Sequence, residues 1–458
     1  MGRVLLGCRW IVGGAFILAI CVVLWPQKAS SLASNMPAVV YTVARRYEPL
    51  AWMRGGDRFP LGGTIFRQAL GVKEPLTKNF AASADPYLSF DSERVVFAGK
   101  RSPGDHWQIW EMSLATGDVN RITSCRDDCV RPLYLPEDRV VYAHKIDGRF
   151  VMEVVLLAGG SPIRLTYAPG NFLPTDLLRD GRVLFEAAYP FGGELTSELY
   201  TVYTDGSGVE SYRCDHGHTR HAGKQTWSGD IVFARERGLA RFTSALAHEV
   251  DVAAPEGEYA GDIAETSSGE WLLSRRPGPN KRFRLESWIP GSRSTRILVT
   301  EKDADVVQPV LLSATRPVPN RHPSGLHDWT YANVLCLNAY TSKYRFAGGS
   351  IGSVKLYTQD AAGGTKLLGT APVEKDGSFY LRTPADQPLR IELLDSSGKT
   401  LKKEDGWFWL RRGEQRVCVG CHAGPETAPE NASPMALRRS IIPADMTGIP
   451  QHAAAGGK

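Results

Sequence analysis

Residues 136–143 read PEDRVVYA: a polar turn cluster, one charged residue, then a short apolar, β-branched run. The phrase returns four more times, as DSERVVFA (91–98), RDGRVLFE (179–186), WSGDIVFA (227–234) and SSGEWLLS (267–274). Counted at the fourth residue of each phrase, Arg94, Arg139, Arg182, Asp230 and Glu270, the intervals are 45, 43, 48 and 40 residues. One turn and one β run repeated about every 40–45 residues is the interval of a four-stranded propeller blade.

The text between the phrases supplies the other strands. WQIWEMSLATGDVNRIT (107–123) alternates, turns at Thr116-Gly117 and alternates again; FVMEVVLLAGGSPIRLT (150–166) repeats the scheme with Gly159-Gly160 at the turn. A sixth unit is expected on the N-terminal side, where AVVYTVARR (38–46) has the same β character. That early strand is expected to close the ring against the last blade, since closure removes the free edges of an open sheet.

The propeller text spans 37–316. It ends in RPVPNRHPSGLHDW (316–329), proline-rich and irregular, which marks a domain boundary. From 328 to 400 the text is β again without the blade period, in short alternating runs such as VLCLNAY (334–340) and GSFYLRTP (377–384), and reads as a small β-sandwich. The final section, 406–448, has little regular pattern, and the tail 449–458 reads as disordered.

Charge and composition narrow the functional classes. A formal net charge of +5 on 458 residues, with no long Lys/Arg run, excludes nucleic acid as the expected partner. Arg3 and Arg9 precede an apolar run from Trp10 to Trp25, followed by QKASSLASN (27–35). Residues 1–33 therefore read as a secretory signal with Ser31-Leu32-Ala33 at the cleavage site. The competing reading is an uncleaved membrane anchor, the one membrane contact the sequence offers. Either way the mature chain is exported to a periplasm-like compartment, and its cysteines meet oxidising conditions. Cys125 and Cys129, in SCRDDCV, are close enough for a local disulfide.

Chemistry concentrates in RVCVGCHAG (416–424), where Cys418, Cys421 and His422 form one C-x-x-C-H. This is the attachment signature of a c-type haem: two thiols add to the vinyl groups and the adjoining histidine is presented to the iron. A thioredoxin-type dithiol would open a helix, but AGPETAPENASP follows, too rich in proline for one. A zinc site of this kind usually has a second C-x-x-C pair, which is missing. The expected cofactor is one covalent haem c, with Met435 as the favoured distal ligand and Met446, His452, His322 and His327 as rivals. Trp407, Phe408 and Trp409 are expected to cover the ring, and Arg411, Arg412 or Arg416 to pair with its propionates.

A second cluster lies in YRCDHGHTRH (212–221). On a strand, Cys214, His216 and His218 would share one face and His221 would close a zinc site; a polar loop at a blade tip is the plainer alternative.

Taken together, the blade phrases IWEMSLATGDVNRIT and RDGRVLF, the stretch RHPSGLHDWTYANVLCLNAYTSK and the segment GEQRVCVGCHAGPETAPENASPMAL give a chain that resembles the TolB-like propeller proteins joined to the hydrazine synthase alpha subunit-type domain. The resemblance implies a periplasmic haem protein with a propeller, a β middle domain and a haem segment. Residue by residue it carries over only Cys418, Cys421 and His422.

The fold class expected is therefore mainly β: a six-bladed propeller, a small β-sandwich and a short irregular haem c-binding segment. The leading functional expectation is a periplasmic mono-haem c-type cytochrome-like protein passing electrons to a redox partner protein, with the propeller as docking platform. The alternatives are a haem oxidoreductase acting on a small nitrogen compound or peroxide, related to the hydrazine synthase alpha subunit, and a propeller binding protein whose haem is structural.

Overall fold

A computed structural model describes residues 36–191, 193–213, 215–312, 316–320, 325–360, 363–421 and 432–448. The signal segment, Cys214, His322, His422, His452 and the tail lie outside the described residues.

Six antiparallel sheets follow one another around a ring, five of them four-stranded and one with an additional short strand. Each repeated phrase marks the second strand of its blade: Arg94–Lys100, Arg139–Ile146, Val183–Phe191, Ile231–Ala234 and Trp271–Arg276. The polar half of the phrase makes the tight turn, and the apolar half fills the space between neighbouring blades with residues such as Val96, Val141, Phe185 and Phe233. Ring closure differs in detail from the expectation. The early strand Val39–Ala44 does not join the last blade; it pairs with Thr64–Ala69 on one side and with Asp305–Leu311 on the other. One blade is thus a composite of three N-terminal strands and one strand from the far end of the propeller, a closure that hides both edges.

The innermost strands share an irregularity. Register shifts fall at Ala84/Tyr87, Val130/Leu133, Pro174/Asp176 and His221/Lys224. Asp85, Arg131, Ala222, Asp262 and Gln308 all take positive φ, between 52° and 59°. A non-glycine residue in this region is unfavourable unless the surroundings hold it, and here ionic and polar bonds do. Arg131 Nη1 donates to Asp262 Oδ2 at 2.8 Å and the Arg131 amide donates to Asp85 Oδ2 at 3.0 Å. Arg58 pairs with Asp85, whose own amide donates to Gln308 Oε1 at 2.9 Å. These side chains meet across the propeller axis. Two pockets beside them measure about 10 and 20 Å³, room for one water each. The axis is a plug.

Beyond the propeller, two four-stranded sheets pack face to face. One contains Tyr331–Cys336 and Phe379–Pro384, the other Ser353–Gln359 and Arg390–Leu394. Ala332, Val334, Leu356, Leu381 and Leu393 fill the space between them. The segment after residue 406 is largely irregular, yet it supplies both edge strands of the first sheet: Gln415–Cys418, parallel to Tyr331–Cys336, and Ala444–Asp445, parallel to Phe379–Pro384. The sandwich is therefore completed by the segment that carries the cysteine motif.

Cys125 and Cys129 are joined by a disulfide at the entry to the third blade. No helix among the described residues is long and apolar enough to cross a membrane.

Candidate functional site at the propeller–sandwich junction

The stretch from Glu404 to Cys421 bolts the sandwich to the propeller. Trp409, 1% exposed, inserts into the propeller core against Phe172 and Tyr167, and its Nε1 donates to Gly206 O at 2.9 Å. Arg411 reaches the Asp205 and Arg164 carbonyls and pairs with Asp386. Arg416 Nη1 donates to Val209 O at 2.8 Å, and Glu414 accepts from the Gly208 amide at 3.2 Å. These bonds fix the chain immediately ahead of Cys418 against the outer edge of the fourth blade.

What the clamp leaves open is a cavity of about 410 Å³. Its propeller wall is built by Arg182, Tyr200, Val209–Tyr212 and Leu246, and its sandwich wall by Val334, Cys336, Phe379, Ile391, Trp407 and Phe408. Cys418 and Cys421 both open onto it. Most of the lining is apolar, with Arg182, Lys402 and Arg416 as its cations. The volume lies in the ordinary range for a site that buries an organic ligand, roughly 300–1,000 Å³.

The thiols differ in environment. Burial pushes Cys418 up to about 11, against the pull of Arg416. Cys336 hydrogen-bonds with Cys421, which raises the first thiol and lowers the second. A further polar group lines the cavity: His216 bridges the two domains, with Nδ1 2.8 Å from Glu198 and Nε2 3.2 Å from Glu404. Burial opposes its charge, but the two carboxylates outweigh that and push the imidazole up to about 9.

The structure sorts the sequence-derived candidates. Trp407 and Phe408 line the cavity, whereas Trp409 is a wedge in the propeller. Of the three arginines only Arg416 faces the cavity; Arg411 and Arg412 are tied to Asp386. Met435 starts a short helix, Met435–Arg439, held at the 376–378 turn by its amide on Asp376, and it is not among the cavity-lining residues. Met446 is a buried core residue against Gly369, and His327 stacks on Trp329.

The second cluster does not follow the alternation expected of a strand. Residues 215–220 are bends and coil, and the strand begins only at His221. His216 turns to Glu198 and Glu404, His218 lines an exposed polar depression with Arg213 and Arg235, and His221 points to the axis, where burial pushes it down to about 4. These three histidines do not converge on one point. Among the described residues, the ligand-type groupings are Cys125/Cys129/His144, whose cysteines are bonded to each other, and His106/Asp127/Asp128 on the surface.

Sequence reasoning missed the blade-four wall, His216 as an inter-domain bridge, and Cys336 as a third cavity thiol. The last was the most accessible: VLCLNAY places a cysteine on the strand next to the motif.

Fold and cavity together define a class: a six-bladed propeller fused to a sandwich whose C-x-x-C cysteines open into a cavity between the two. Residues 339–423, which make up much of the sandwich, match the family described as hydrazine synthase alpha subunit middle domain. Hydrazine synthase subunit alpha of Kuenenia stuttgartiensis is 34% identical over 58 residues, which are 13% of this chain and 7% of that protein. The solved Kuenenia stuttgartiensis hydrazine synthase superposes with a TM-score of 0.75 at 16% identity, over 90% of this chain and 73% of that one, which establishes a shared fold. TolB from Acinetobacter baumannii matches over 60% of this chain and 66% of its own, at 14% identity and a TM-score of 0.47.

Proposed function

We propose that this protein is an exported haem c oxidoreductase acting on a small nitrogen compound or peroxide within the junction cavity. The observation that carries the reading is the placement of both attachment cysteines on the wall of an apolar cavity of about 410 Å³. Cys418 and Cys421 would hold the ring through thioethers, with His422 adjoining. Arg182, Lys402 and Arg416 are the cations that would be available to its carboxylates, and Trp407 and Phe408 would help to exclude water from it. A bound haem supplies one-electron chemistry at iron, and a coordination position left open would admit the substrate. The chain's own part is to seal that space between two rigid domains and to keep the charged His216 in its wall. Similarity of the middle domain to that of the hydrazine synthase alpha subunit supports redox chemistry on nitrogen.

The test is expression alongside a cytochrome c maturation system, followed by a pyridine haemochrome assay and carbon monoxide titration. One covalent haem per chain that binds carbon monoxide is the expected result. A low-spin spectrum blind to carbon monoxide would shift the assignment to the second reading, electron transfer to a partner protein with a protein side chain as the second axial ligand. Absence of covalent haem would overturn both.

A further inference from the structure

The third thiol of the cavity wall is placed to compete for an attachment cysteine. Cys336 is 2% exposed, lies in register beside Cys418 on parallel strands, and belongs to the packed cluster that Cys421 lies against. Cys421 is held in that position by its backbone. The Leu337 amide donates to Cys418 O at 2.9 Å, Cys421 bridges to Ser342, and a Cβ on the intervening Gly420 would come 2.0 Å from Thr341 O. The 418–421 loop is thus pressed onto the 336–342 stretch with no room for a side chain between them, which brings Cys421 against the cluster that holds Cys336. Elsewhere in the same chain Cys125 and Cys129 are joined, which agrees with a compartment that oxidises neighbouring thiols.

We propose that in the chain without its haem Cys336 and Cys421 form a disulfide, and that this bond must be reopened before the second thioether is made. Formation is thiol–disulfide exchange. The Cys421 thiolate attacks the disulfide of an oxidising dithiol protein and expels one thiolate. Cys336 then attacks the mixed disulfide, closes the Cys336–Cys421 bond and releases the second. Two thiols are oxidised, one disulfide is reduced, and the two protons go to the departing thiolates. A reducing dithiol reverses the sequence, after which each cysteine adds S–H across a vinyl group with no net electron transfer. Cys336 then remains as a buried free thiol. The reopening step rests on the haem reading; the disulfide does not.

The full chain, produced without the maturation system, is quenched in acid, alkylated with N-ethylmaleimide, digested without reductant and mapped by mass spectrometry. The expected product is a linked pair of peptides containing Cys336 and Cys421, lighter than the two thiol peptides by two hydrogens, with the alkyl group on Cys418. A Cys418–Cys421 link, or label on all three, overturns the proposal. In Cys336→Ala the link is expected to move to Cys418–Cys421, with near-ultraviolet dichroism confirming the fold. With the maturation system present, covalent haem in the wild type is expected to rise on adding a dithiol reductant and in Cys336→Ala to be independent of it. Wild-type loading that ignores the reductant overturns the gating step. No covalent haem under any condition overturns the haem reading instead, and the peptide map still decides the disulfide.

Discussion

The propeller axis and the junction cavity are both lined by residues from several distant parts of the chain, but they are opposite solutions. At the axis Arg58, Asp85, Arg131, Asp262 and Gln308 are buried and bonded to one another, leaving only water-sized gaps. At the junction the walls are apolar and aromatic, and about 410 Å³ is left open. Buried charges are tolerable only when neutralised and hydrogen-bonded, so an ionic lining closes on itself. An apolar lining has no such partners to seek, and the rigid clamp at Trp409 and Arg411 keeps its walls apart. Charge makes the structural plug; its scarcity makes the candidate site.

Breaking this contrast at the axis has the largest expected effect. Arg131→Met strands the Asp262 carboxylate in the interior and should lower stability by about 3–5 kcal/mol, read from denaturant unfolding, with the cavity cysteines keeping their alkylation pattern in the native state. A loss below 1 kcal/mol would mean the plug is not held by charge.

The next effect has the opposite sign. Glu186 is buried with Oε1 accepting from the Ala222 amide at 2.7 Å and Oε2 without a partner. Burial pushes its carboxyl up to about 7. An acid whose folded value is raised keeps the native state unstrained below the unfolded value and costs stability as pH rises through the folded one. Glu186→Gln should therefore stabilise by up to about 3 kcal/mol above pH 7 and be neutral below pH 4.5. A gain independent of pH would refute the ionisation argument.

At the junction, His216 sharpens the comparison because it is the charged group of the cavity wall that bridges the two domains through carboxylates of both. Its folded value of about 9 lies above the unfolded 6.5, so its stabilisation is complete below pH 6.5 and disappears as pH climbs through 9. His216→Gln should cost on the order of 2 kcal/mol at pH 6 and little at pH 10, measured as thermal unfolding across that range. A flat difference between wild type and variant would remove the ionic bridge between Glu198 and Glu404.

The smallest effect on folding belongs to the residue with the greatest chemical consequence. Cys418→Ser trades a partly buried thiol on an edge strand for a hydroxyl and should change stability by less than about 1 kcal/mol, while on the proposed reading it removes one of the two thioethers. A larger loss would mean that Cys418 is a core residue first.

The blades were legible because their signal is local and repeated: a turn, then an apolar run, five times at nearly constant spacing. The plug was hidden because its members are scattered along the chain, 27 residues apart at the least and well over 100 at the most. Only the recurrence of Asp85-Pro86, Arg131-Pro132 and Gln308-Pro309 on the inner strands hints at it. The motif at Cys418 was plain, yet the cavity around it was not, since Tyr200, Tyr212 and Leu246 reach it through the ring geometry. His221 shows the cost of assuming regular alternation: a register shift beside it turns the side chain into the axis, away from His216.

The composite first blade sets an order of assembly. Val39–Ala44 has no inner neighbour until Asp305–Leu311 exists, so the ring stays an open, sticky-edged arc while most of the polypeptide is being made or exported. The junction is later still, for its wall needs the finished fourth blade, the Tyr331–Cys336 strand and the Gln415–Cys418 strand together. The cysteines that would take the cofactor thus reach their seat after nearly everything else has folded, and a maturation partner would meet a nearly finished protein.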